Sequence, residues 1–101
     1  MTDMTVAKTI LAQLGGNKFI AMTGAKDFVG GANSLQFSIS SRLTKNKSNK
    51  VRIVLDPSDT YTMTFYKIRG IDFKEVDSVS DVYAEDLQRI FTAKTGLDTH
   101  L

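Results

Sequence analysis

The chain contains no cysteine and only one histidine, His100, in 101 residues. Without cysteine, disulfide staples and thiolate chemistry are excluded. With one histidine and no thiol, the usual zinc sites cannot be assembled within a single chain. A Ser-His-acid triad fails for the same reason, because a histidine next to the last residue is poorly held as a general base. Proline is also scarce. Pro57 stands alone in Asp56-Pro57-Ser58-Asp59, where its fixed φ suits a turn. No apolar stretch approaches the roughly 20 residues needed to span a bilayer. Met1-Thr2-Asp3-Met4 lacks the basic-then-apolar pattern of a secretory leader, so none is expected. Asn46-Lys47-Ser48 matches a glycosylation sequon and is read as coincidence without such a leader. The expectation is a cytoplasmic protein without membrane association.

The remaining chemistry is sparse. Asp56 and Asp59 share a turn, and Asp72, Glu75 and Asp77 lie close together. Neither group has the ligand spacing of a calcium loop, so turn chemistry and edge-strand solubility explain them better. Thr23-Gly24-Ala25-Lys26 invites comparison with a phosphate loop. It lacks the earlier glycine, and Asp27 stands where Ser or Thr would hold the metal. We therefore expect no enzymatic activity, no metal and no cofactor.

What the chain does have is a basic run, Arg42 to Arg52. Arg42, Lys45, Lys47, Lys50 and Arg52 are five basic residues among eleven, with no acid between them. Charge is uneven over the whole length. Residues 1–71 carry ten Lys/Arg and four Asp/Glu, a net +6, whereas residues 72–101 carry three and seven, a net −4. Such asymmetry suits docking of a polyanion or association of copies, and equally suits pairing of opposite charges across one fold.

Hydrophobic periodicity gives the architecture. Val6, Ala7, Ile10, Leu11 and Leu14 follow helical spacing, and Gly15-Gly16 ends the pattern. Lys18–Thr23 reads as an apolar strand, and Gly24–Asn33 as an irregular connection rich in turn formers. Ser34–Ser40 alternates, with Leu35, Phe37 and Ile39 on one face. Lys50–Leu55 alternates likewise, with Val51, Ile53 and Leu55 inward. Thr60–Arg69 is the longest expected strand, with Tyr61, Met63 and Phe65 inward. Gly70 breaks it, and Ile71–Val76 is expected to add a short edge strand. A last helix is expected from the stripe Val79, Val82, Tyr83, Leu87, Ile90 and Phe91, stopping at Gly96. At 42% apolar and 24% charged, residues 1–101 suffice for one domain with its own core. The expected fold is α+β: an antiparallel sheet of four to five strands with an N-terminal and a C-terminal helix packed on one face.

On that fold the basic run lies between two alternating strands, as a hairpin loop. It suits contact with a phosphate backbone. The alternative is a solvated tip kept soluble by lysines. Tyr66 is the one obvious stacking aromatic on the open face, so backbone contact is favoured over a stacking platform.

Three segments carry a resemblance. Ile10-Leu11-Ala12-Gln13-Leu14-Gly15-Gly16, Phe19-Ile20-Ala21-Met22-Thr23-Gly24-Ala25-Lys26, and Val82-Tyr83 with Ile90-Phe91-Thr92-x-x-Thr95-Gly96-Leu97 are similar to a family of small uncharacterised proteins from bacteriophages, prophages and mobile elements. Members usually end near Thr-Gly-Leu-Tyr, whereas here Asp98 follows Leu97. The resemblance implies action inside a bacterial host cell, on nucleic acid or on a host protein. Two functions are therefore expected. The first is a non-enzymatic accessory protein binding nucleic acid through Arg42, Lys45, Lys47, Lys50 and Arg52. The second is a protein-interaction module inhibiting a host factor such as a bacterial defence complex. A second copy of the chain is a further candidate partner.

Overall fold

The computed structural model describes residues 5–40, 44, 45 and 47–97. Two helices lead, α1 (Thr5–Leu14) and α2 (Asn17–Thr23). Five strands follow: β1 (Lys26–Gly30), β2 (Ser34–Ser38), β3 (Lys50–Leu55), β4 (Tyr61–Arg69) and β5 (Asp72–Val82). A 3₁₀ turn at Ala84–Asp86 leads into α3 (Leu87–Thr95). The strands form one sheet in chain order, each antiparallel to its neighbour. The α+β architecture expected from the alternating segments is therefore present, with helices from both ends of the chain on one face of the sheet.

Alternation decides which side chains meet the helices. Leu35, Phe37, Val51, Ile53, Tyr61, Met63 and Phe65 point inward and are at most 5% exposed. They meet Ala7, Ile10 and Leu14 of α1, Phe19 of α2, and Leu87 and Phe91 of α3 in one core. Phe19 stacks edge-on against Phe37 and Phe91, with ring centroids 5.3 and 5.1 Å apart. Each such pair adds about 0.5–1.5 kcal/mol beyond area burial. Polar ties then join the ends of the fold. Gln88 donates from Nε2 to the Leu14 carbonyl at 2.9 Å, and the Tyr61 hydroxyl donates to Gln13 Oε1 at 3.0 Å.

Three local readings change. Lys18–Thr23 is not a strand but most of α2, and Phe19 and Thr23, four apart on one helical face, are its buried residues. A short apolar run does not distinguish helix from strand by periodicity alone. What settles it is the ending. Thr23 donates Oγ1 to the Phe19 carbonyl at 2.7 Å and accepts from the Ala25 N–H, and Gly24 turns left-handed. The end of α3 is built the same way: Thr95 Oγ1 donates to the Phe91 carbonyl and accepts from the Leu97 N–H, before left-handed Gly96. The segments Phe-x-x-x-Thr-Gly at 19–24 and 91–96 are thus one helix-stopping device used twice.

The second change is that the connection expected at 24–33 contains β1, whose pairing with β2 is interrupted between Lys26 and Val29, with Asp27 at φ 57°. The third concerns β5. It is eleven residues long and takes in Val79 and Val82, which helical spacing alone places in the last helix. Met63 faces Val79 and Tyr61 faces Val82, so a register shift puts one extra residue in β5, with Asp81 at φ 57°. A bulge of this kind places two inward residues three apart and mimics helical spacing.

Candidate nucleic-acid interface on the open sheet face

The basic run does not act as one loop. Arg42 lies outside the described residues. Thr44 and Ser48 are buried, and Thr44 Oγ1 donates to the Ser48 carbonyl at 2.9 Å. The Lys45 N–H donates to the Thr95 carbonyl at 2.8 Å, and its aliphatic stem runs alongside Gly96. Lys45 therefore belongs to the helical side. Lys47 is exposed in a left-handed conformation, φ 63°. Lys50 and Arg52 are on β3, one residue either side of inward Val51, so their side chains leave from the uncovered face.

Strand register assembles the rest. Lys26, Ser38, Lys50, Tyr66 and Glu75 are successive cross-strand partners on β1 to β5. Directly opposite residues share a face. At the usual strand spacing of about 4.8 Å, the two lysines flank Ser38 with Cα atoms about 10 Å apart, and Tyr66 stands one strand beyond Lys50. The next row holds Gln36, Arg52, Thr64 and Ser78. At the end of the row a depression of about 270 Å³ opens between Lys26 and Lys50. Its lining also includes Ile39, Ile68, Asn49 and one carboxylate, Asp27.

The aromatic part of the face lies on the β4–β5 hairpin. Arg69 pairs with Asp72 across a two-residue turn in which Gly70 has φ 60°. Glycine at the first central position suits the type II′ turn, whose twist matches the strands. This register sets Phe73 opposite Ile68. The Phe73 ring, 63% exposed, lies against Tyr66 with centroids 4.5 Å apart. Asn49 holds the base of the hairpin with its side-chain amide, donating to the Ile68 carbonyl at 2.7 Å and accepting the Ile68 N–H at 2.8 Å.

Of the acids, Asp77 and Asp86 are engaged elsewhere, while Asp27 and Glu75 stand at this face. Two ion pairs occur among the described residues, Arg89–Asp86 at 3.2 Å and Lys94–Asp77 at 2.9 Å. Hydrogen bonding from Lys94 holds the Asp77 carboxyl below its ordinary pKa, against a smaller opposing effect of desolvation. Neither pair uses Lys26, Lys50 or Arg52. No three His, Asp or Glu side chains come together as a metal-binding group among the described residues. The uncovered face thus offers cations without bound counter-charges beside an accessible aromatic pair. That combination can hold phosphates and stack bases.

Phe73 is the member of this face that sequence reasoning missed. Lys26 stands out in the sequence as a cation beside Thr23-Gly24-Ala25, but the irregular reading of its segment gives it no place on a strand. The signal for Phe73 was the glycine turn, since counting outward from Gly70-Ile71 pairs Phe73 with Ile68 and hence places it beside Tyr66. Compared with known proteins, the chain matches no family model, no curated protein and no solved structure.

Proposed function

We propose that the protein is a non-enzymatic accessory protein that binds single-stranded nucleic acid across the open face of its sheet. The observation that carries this reading is the row Lys26–Ser38–Lys50–Tyr66 with Phe73 against Tyr66. Bases stack on the two rings while Lys26, Lys50 and Arg52 neutralise phosphates. This moves the binding surface away from the Arg42–Arg52 loop as a unit and keeps only Lys50 and Arg52 from it. It also replaces duplex-backbone contact with stacking, because Phe73 supplies the second aromatic. The resemblance to small phage and mobile-element proteins supports an accessory role inside a bacterial host cell.

The test is fluorescence anisotropy with labelled single-stranded DNA and RNA oligomers and a duplex control, titrated across salt. Three phosphate contacts give a slope of log K against log salt of about −2 for single strands. Tyr66→Ala lowers affinity by about 1–3 kcal/mol. Absence of binding to every probe at low salt would sink the reading. One observation favours the second function, inhibition of a host protein: Ile71 at the hairpin tip is fully exposed and Val76 is 36% exposed. Under that reading a host partner is captured in stoichiometric amount, and Ile71→Lys abolishes the capture.

A further inference from the structure

We propose that the upper part of β5 pairs with the same segment of a second copy, antiparallel and centred on Phe73. This inference does not rest on nucleic-acid binding. The strand is one edge of the sheet, and open edges are templates for strand addition.

Hydrogen-bond phase comes first. A two-residue turn makes Arg69 and Asp72 a hydrogen-bonded pair, so Ile68 and Phe73 form the next, non-hydrogen-bonded pair. The N–H and C=O of Phe73 therefore face the open edge. A two-fold axis through this residue lets each Phe73 exchange both bonds with its mate.

Charge gives the register. Pairing about Phe73 sets Asp72 of one copy opposite Lys74 of the other, twice. It sets Ile71 opposite Glu75, whose aliphatic stem can cover it. Within its own chain Lys74 faces Lys67, a like-charged cross-strand pair, and neither lysine enters an ion pair among the described residues. Like charges directly opposite each other are destabilising. Asp72 of the second copy relieves this one. Edge charges of a single sign repel another copy; alternating Asp72-Phe73-Lys74 is complementary to itself. The association also brings the two Phe73 rings together on one face.

The interface has a built-in limit. The β4–β5 register shifts between Phe65 and Tyr66, where Asp77 and Glu75 are the partners and Val76 is the extra residue. Regular edge pairing is thus bounded by the turn at Gly70-Ile71 on one side and the bulge at Val76 on the other, which suits a reversible dimer.

Sedimentation velocity over a concentration series, with no nucleic acid present, tests the proposal. The wild-type chain is expected to show a reversible monomer–dimer equilibrium. Lys74→Glu sets two acids opposite each other in both symmetric pairs and weakens the dimer about tenfold or more. Asp72→Lys does the same with two lysines. The double swap Asp72→Lys/Lys74→Glu restores the dimer to within about threefold of wild type. A chain that stays monomeric at the highest soluble concentration overturns the proposal, as does a dimer that survives Lys74→Glu. So does a folded double swap that fails to recover. Thermal unfolding of each variant reports folding. Should the double swap unfold, hydrogen exchange of the wild-type Phe73 amide decides: protection must rise with protein concentration, and protection independent of concentration refutes the pairing.

Discussion

The β4–β5 hairpin is one ladder with two unlike halves. In its lower half Tyr61, Met63, Phe65 and Val82 are at most 5% exposed, because the helices lie beneath them. In its upper half Phe73 is 63% exposed and Ile71 fully so. Both strands run through the two halves, with a one-residue shift in register where the halves meet, between Phe65 and Tyr66. What distinguishes them is whether anything packs under the sheet. The lower half stabilises the fold. The upper half is held in shape by the Asn49 clamp and by the Tyr66–Phe73 contact, and contributes little to the core. Residues that fold the protein and residues available for binding are thus separated along the same two strands.

That contrast can be broken experimentally. Phe65→Ala empties a fully buried site in the lower half and is expected to cost about 3–5 kcal/mol in denaturant unfolding. Asn49→Ala removes both bonds of the clamp and is expected to cost about 1–3 kcal/mol, with faster hydrogen exchange at the Ile68 amide. A loss as large as that of Phe65→Ala would mean that the upper half is part of the core. Asp77→Asn has a smaller effect, confined by pH. Lys94 holds the folded carboxyl below its ordinary value of 3.8, so the folded state binds this proton less readily than the unfolded chain. The contribution is complete well above that value and is lost as pH falls through it toward the lower folded value. Solvent reaches both partners, so the scale is that of a surface pair, about 0.2–1 kcal/mol. Urea midpoints of wild type and Asp77→Asn should therefore converge as pH falls below about 4. On the same scale, Phe73→Ala loses the Tyr66 contact and should cost about 0.2–1 kcal/mol while weakening oligonucleotide binding in anisotropy.

The parts of the fold legible in the sequence were those with one unambiguous period. α1 and strands β2 to β4 lie where alternation or helical spacing placed them, and their inward residues are buried except for Val6, Leu11 and Leu55, which are half-buried at the edge of the core. The stop of α3 at Gly96 and an edge strand beginning just after Gly70 are also where they were expected, though that strand runs on to Val82. The readings that failed did so for identifiable reasons. Lys18–Thr23 is too short for its period to speak, and its Thr-Gly stop looked like the end of a strand. Val79 and Val82 keep helical spacing because a bulge inserts a residue between them. The site was less legible than the fold. Charge density singled out Arg42–Arg52, but local composition does not show that Lys45 turns toward the end of α3 while Lys50 and Arg52 emerge on the opposite side. Lys26 and Phe73 join the open face only through cross-strand register, which is a property of pairing across the sheet.

The hydrogen bond from Gln88 to Leu14 spans 74 positions of the chain, and it has a consequence for synthesis. The sheet can zip hairpin by hairpin as it leaves the ribosome, since every strand pairs with the one before it. α1 can settle on β2 early, but its other neighbour, α3, comes last. Ile10 and Leu14 emerge early and wait for Leu87 and Phe91, an interval of roughly 4–15 s at ribosomal rates of about 5–20 residues per second. Throughout that interval the sheet lacks the helix that closes its core. Chaperone capture and proteolysis of nascent chains should therefore fall sharply once α3 has emerged.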